Sequence, residues 1–137
     1  GLSVATDLED AVRAADIVTS ATMSTDPLIL GDWLQPGQHI DLIGAYRPDM
    51  REVDDAALQR ARVFVDSRET TVGHIGELKI PIATGAFSAD EVVADYYELD
   101  QFQRQDTDDI TLFKNGGGAH LDLITSRFIL EAWERSR

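Results

Sequence analysis

A chain of 137 residues with 43% hydrophobic content is long enough to bury one core, and its composition is that of an ordinary globular domain. Its 25 acidic and 12 basic residues leave a formal charge of −13, which excludes the clustered cations that a nucleic acid or an anionic membrane surface needs as a partner. No apolar run approaches the roughly 20 residues that span a bilayer, and there is no cysteine to form a disulfide, a thiolate nucleophile or a thiolate metal ligand, so the chain reads as soluble and cytoplasmic.

In chain order, Gly1 to Thr6 is an abrupt extended opening. Asp7 then caps a helix to about Ala15, whose apolar positions Leu8, Ala11, Val12 and Ala15 recur at three and four. A β-branched strand occupies about residues 16–22 and ends in small and hydroxyl residues, Ser20-Ala-Thr22. A brief helix or turn over Leu28–Leu34 closes at Pro36-Gly37. The apolar strand near 40–44 follows, stops at Gly44 and breaks into a polar turn fixed by Pro48. Asp54 and Asp55 open a helix to Ala61 with negative charge at its favourable amino end, and a third strand covers about 62–66. Strands and helices alternating with connections this short imply parallel pairing.

Beyond Arg68 the periodicity loosens. A helix interrupted at Gly73 and Gly76 is expected over Glu69–Leu78, with Pro81–Gly85 as a linker. Ser88-Ala-Asp-Glu91 has capping-box spacing and predicts an acidic helix to about Leu99. Residues 101–109 read as an exposed loop. A fourth strand near 110–113 precedes Lys114-Asn115 and three glycines, and a long helix from Ala119 to Glu134 carries the apolar stripe Leu121, Ile124, Phe128, Leu130 and Trp133. The fold class read from these elements is α/β: a parallel sheet with flanking helices and a long C-terminal helix.

Three strands thus end in small or hydroxyl residues, and in an open α/β sheet the ligand crevice lies beyond the carboxyl ends of the strands. Small side chains there let a ligand approach the backbone, and glycines before a helix offer amide hydrogens to an anion. No Gly-x-Gly-x-x-Gly, P-loop or nucleophile elbow occurs, so a dinucleotide fold would have its phosphate loop outside this chain. The abrupt opening favours truncation. His39, His74 and His120 lack ligand spacing, and no metal site is expected. Tyr46 and Arg47 project from the central turn, where the arginine pairs either with a substrate carboxylate or with a neighbouring acid.

Three long motifs occur in order: Asp-Leu-Ile-Gly-Ala-Tyr-Arg-Pro-Asp-Met-Arg-Glu-Val-Asp from Asp41, Ala-Arg-Val-Phe-Val-Asp-Ser-Arg-Glu from Ala61, and Asp-Asp-Ile-Thr-Leu-Phe-Lys-Asn-Gly-Gly-Gly-Ala-His-Leu-Asp-Leu from Asp108. Together they closely resemble the ornithine cyclodeaminase/mu-crystallin family from about Leu8 to the end. That resemblance implies an NAD- or NADP-dependent homodimer with a Rossmann domain set into a dimerisation and substrate domain. It implies cofactor contacts at Thr22, Leu42, Ile43, Gly44 and Asn115, the last standing where the family usually has a serine. It also implies that the sheet is the C-terminal part of a Rossmann-type parallel sheet, with residues 1–86 as the later half of the NAD(P)-binding domain and residues 87–137 as an acidic helix, a final strand and a C-terminal helix returning toward the dimerisation domain. The amino-terminal half, with the glycine loop and substrate Arg and Lys, is then expected to lie outside this chain.

One departure bears on chemistry. Where ornithine cyclodeaminases have a catalytic aspartate this sequence has Tyr46, and where they have a lysine four residues later it has Met50. A phenol with a pKa of about 10 does not replace a carboxylate base near neutrality. The resemblance is therefore closer to the ketimine reductases and Δ1-pyrroline-2-carboxylate reductases, which keep a turn like Arg47-Pro48-Asp49. The preferred expectation is reduction of a small cyclic imino acid by hydride transfer, with Tyr46 as the catalytic candidate in the substrate pocket. The alternatives are ornithine cyclodeaminase or amino-acid dehydrogenase chemistry, or a non-catalytic mu-crystallin-like binding protein. The 137 residues alone are expected to be inactive.

Overall fold

The computed structural model describes residues 1–137. Its centre is one five-stranded, all-parallel sheet in the order β1-β2-β5-β3-β4. The strands are β1 (Ile17–Ser20), β2 (His39–Leu42), β3 (Ala61–Val65), β4 (Val92–Ala94) and β5 (Ile110–Lys114). The four expected strands are present within a few residues of their expected bounds. The fifth, β4, falls where a helix was expected.

Helix α1 (Leu8–Ala14) begins at Asp7, whose carboxylate accepts the Asp10 amide at 2.9 Å. Helix α2 (Asp55–Arg60) begins at Asp54, whose Oδ1 accepts the amides of both Ala57 and Gly31. These caps satisfy amides that a helix start leaves without intrahelical partners. Alternation in the parallel strands turns Ile40, Leu42, Val63, Val65 and Leu112 to one face. There they pack with Val12, Leu34, Ala57, Leu58 and Leu78 in a single core. The other face carries His39, Phe64, Thr111 and Phe113, and with Phe102 and Tyr96 it forms an open recess of about 490 Å³.

Two expectations between residues 69 and 99 are corrected. Pro81–Gly85 is no linker: after a π-helical turn over Arg68–Val72, α3 (Gly76–Thr84) runs through Pro81 and ends at Gly85 in the left-handed conformation. Proline removes one amide donor but leaves this short helix intact, because the helix is held by burial of Glu77, Leu78 and Pro81. The capping box at Ser88 is real, with both reciprocal bonds formed, but it starts only a 3-10 turn over Ala89–Glu91. Val92 and Val93 then favour extension, and β4 adds to β3 at the sheet edge. Consequently residues on both sides of the boundary expected at 86/87 contribute strands to one sheet.

Helix α4 (Ala119–Arg135) has the expected bounds, but none of its residues is buried. Its Ile124, Phe128 and Trp133 lie 48–65% exposed, so the apolar stripe has no partner within this chain.

Candidate functional site at the strand tips

Because β1, β2 and β5 are adjacent and parallel, with Ser20 opposite Leu42 and Leu42 opposite Lys114, their carboxyl ends finish side by side. The segments leaving them bring Thr22, Gly44, Ala45 and Asn115 to one edge. A single side chain organises the junction between the first two. Glu52, fully buried, reaches back from the loop before α2 and accepts five hydrogen bonds. Its Oε1 takes the Ser20 hydroxyl at 2.6 Å, the Thr22 amide at 2.7 Å and the Thr22 hydroxyl at 2.9 Å. Its Oε2 takes the amides of Gly44 at 2.8 Å and Ala45 at 3.1 Å. Burial opposes its ionisation, but the donors from Ser20, Thr22 and Ala45 outweigh burial and hold its pKa below the usual carboxylate range.

A second buried carboxylate supports the first. Glu77, in the first turn of α3, accepts the backbone amides of Glu52 (2.9 and 3.1 Å) and Val53 (3.0 Å), fixing the loop from which Glu52 projects. Burial pushes the Glu77 carboxyl up to about 7, against the pull of those amides and of Lys114. Lys114 is itself fully buried at the end of β5, and its Nζ donates to the carbonyls of Leu42 (3.2 Å) and Asn115 (2.9 Å), joining the tips of β2 and β5. Burial lowers its pKa, while Glu77, Glu52 and Asp66 raise it. Asp66, at the end of β3, accepts the Gly116 amide at 2.8 Å and the Thr71 hydroxyl.

The expected site residues divide by accessibility. Ile43 and Tyr46 are exposed, and Thr22, Gly44 and Asn115 are half-buried. Leu42 differs: its side chain is fully buried in the core and its carbonyl is taken by Asn115 N and Lys114 Nζ, so it supports the edge from beneath. Gly44 is needed for close approach of protein to protein. A Cβ there would come within 2.0 Å of the Thr22 carbonyl oxygen and 2.6 Å of Glu52 Oε1. The expectation that glycine amides before α4 stand free for an anion is also corrected. Asp66 takes that of Gly116, and the Asn115 side chain takes that of Gly117 at 2.7 Å. Arg47 pairs bidentately with its neighbour Asp49, at 2.9 and 2.5 Å.

Sequence reasoning gave no role to Glu52, and placed Glu77 on a helical segment without deriving one, two among 25 acids in a chain where acids are mostly solvated. The burial of Glu52 between Met50 and Val53 and its donors at residues 20–22 appear only once β1 and β2 are paired.

The model of the ornithine cyclodeaminase/mu-crystallin family matches residues 1–137. The chain belongs to this family. It is 58% identical over 131 residues to a Δ1-pyrroline-2-carboxylate reductase of Paracoccus denitrificans, a match covering 93% of this chain and 42% of the relative. Among solved family structures, the Δ1-pyrroline-2-carboxylate reductase of Thermococcus litoralis, in complex with NADH and L-proline, superposes with a TM-score of 0.81. It is 30% identical and covers 94% of this chain and 41% of that one. An archaeal alanine dehydrogenase dimer with bound NAD superposes at 0.80 with 28% identity, covering 96% and 42%. The chain thus spans about two fifths of the length of the relatives it matches.

Proposed function

We propose that this chain forms part of the NAD(P)-binding domain of an oxidoreductase that reduces a small cyclic ketimine of the Δ1-pyrroline-2-carboxylate type. The observation that carries the reading is the 58% identity to a Δ1-pyrroline-2-carboxylate reductase across 93% of the chain. Tyr46 and Met50 agree with it. Neither is a carboxylate or an amine, and Met50 is buried with Ala45 and Ile75 beneath the turn, so a base and a lysine for cyclodeamination are absent from these positions.

The strand edge suits the nicotinamide end of the nucleotide, which carries no phosphate. Thr22 and Asn115 offer polar groups, Ile43 offers an exposed apolar surface, and nearby amides are already bonded to carboxylates. It does not suit a diphosphate, whose contacts would come from residues beyond these 137. Thr22, Ile43, Gly44 and Asn115 would hold the nicotinamide side, and the bound nucleotide would supply the hydride. Tyr46 would line the imine's side of the edge and keep its hydroxyl available to the ring nitrogen. Glu52 and Lys114 hold the backbone beneath these groups, so positioning rather than strong base chemistry is what the chain contributes.

In the assembly we propose, the sheet residues on both sides of position 86 stay in the nucleotide-binding domain, while α4 carries its open apolar stripe toward a dimerisation domain. The archaeal dimer supports homodimer formation. No helix is long and apolar enough to cross a membrane. A cytoplasmic location is part of the proposal and rests on the absence of cysteine from the sequence being compatible with a reducing compartment.

Assaying the protein that carries this sequence with NADPH or NADH and Δ1-pyrroline-2-carboxylate tests the reading. Imine-dependent nucleotide oxidation is expected. Ammonia release from ornithine would point to cyclodeamination, and nucleotide binding without turnover on any cyclic imine to a binding protein.

A further inference from the structure

Glu52 is fully buried beneath the open strand edge, and it bonds to both backbone segments that form the β1–β2 side of that edge. Five donors converge on its two oxygens from Ser20, Thr22, Gly44 and Ala45, and the loop that delivers it is pinned by Glu77 through the amides of residues 52 and 53. Gly44 has no room for a side chain because Thr22 and this carboxylate fill the space. Thr22 is thereby held by both its amide and its hydroxyl, and the chain entering Tyr46 is held at Ala45. We infer that Glu52 is a positioning residue for the nicotinamide nucleotide, acting through the backbone of Thr22, Gly44 and Ala45 to keep the edge preformed before the nucleotide arrives. This rests on the reductase reading above.

A carboxylate is required for a reason of donor count. Glutamine keeps one acceptor oxygen and places an NH2 group against either the Gly44 and Ala45 amides or the Thr22 amide, none of which can accept a hydrogen bond. A shelf left to order itself on binding loses affinity for the nucleotide more than rate once the nucleotide is bound, because the ordering cost falls on the binding step.

The test compares E52Q, E52D, S20A and a control, L58A, in the protein that carries this sequence. Leu58 is buried in the core and belongs to no part of the edge, so L58A reports loss of stability alone. E52Q is expected to raise the nucleotide KM about tenfold or more, as loss of charged hydrogen bonds to a prepared site would, with kcat changed by less than about threefold. E52D, which keeps the charge on a shorter arm, should recover part of that loss. S20A removes one donor without touching the edge, and should raise the nucleotide KM about two- to fivefold, with little change for the imine.

An E52Q protein that folds with its nucleotide KM within about twofold of wild type would overturn the inference, as would an L58A protein of equal thermal destabilisation showing the same rise in KM. Where E52Q does not fold, S20A decides, and an unchanged nucleotide KM counts against the inference. A wild-type protein that reduces no cyclic imine defeats the reductase reading. Glu52 is then judged by the same variants through the Kd for NADPH, read by nucleotide fluorescence. Wild-type protein that binds neither NADPH nor NADH overturns both.

Discussion

Tyr46 is more than half exposed, at 56%, on the turn leaving β2, where we propose that it faces the imine. If its hydroxyl passes a proton to the imine nitrogen, Y46F should lower kcat on Δ1-pyrroline-2-carboxylate by about 100-fold and leave the nucleotide KM nearly unchanged. A kcat within about threefold of wild type would assign Tyr46 to lining the pocket only. Below it, Glu77 makes a different prediction. Burial raises its folded pKa to about 7 from an ordinary value near 4.5, so between those values the folded state holds a proton that the unfolded chain has released. The stability this contributes is fully present below about pH 4.5 and is lost as pH rises through about 7. The shift corresponds to about 3 kcal/mol, with the attraction of Lys114 for the charged form already included. Urea unfolding of wild type and E77Q across pH 4.5–8 should show E77Q gaining on wild type as pH rises. A constant difference over that range would show that Glu77 keeps one charge state throughout.

Among the elements, α2 shows how a cap can serve two masters. Asp54 Oδ1 accepts the Ala57 amide at 2.9 Å as the helix N-cap and the Gly31 amide at 2.8 Å from the turn packed against that helix. D54A leaves both donors without this acceptor and should cost about 1–2 kcal/mol in chemical denaturation. D54N retains one acceptor oxygen and should recover most of it. Asp54 was legible from sequence because a cap is a local rule, and so were the four strands whose apolar runs lie between clear breakers. β4 was not. Its three residues follow a genuine capping box, and whether one turn grows into a helix is decided by the pairing of Val92 and Ala94 with β3, almost thirty residues earlier. The same distinction explains the site. Thr22, Gly44 and Asn115 could be placed at strand ends from the chain order alone, whereas Glu52 gains its role from donors at residues 20–22, which only the β1–β2 pairing brings to it.

At the scale of the whole molecule, the recurrent device is a carboxylate set against backbone amides. Glu52 and Asp66 occupy amides at the strand edge that could otherwise meet an anion, while Glu77 and Asp54 occupy those of the loop and helix start behind it. The chain carries a formal charge of −13 and has no glycine-rich phosphate loop, and Arg47 is engaged by Asp49. On the proposed reading, a dinucleotide meets repulsion where it needs donors, and its nicotinamide end is the part this chain receives. The 137-residue chain by itself should bind NADH and NADPH no more tightly than about millimolar, since a nucleotide deprived of its diphosphate contacts loses most of its charged hydrogen bonds. Titration calorimetry on the isolated chain checks this, with circular dichroism first establishing that it is folded. Micromolar binding would mean that the strand edge accepts phosphate despite its bonded amides. The carboxylates would then have to give up those amides on binding, and Glu52 could not be the fixed support inferred for it.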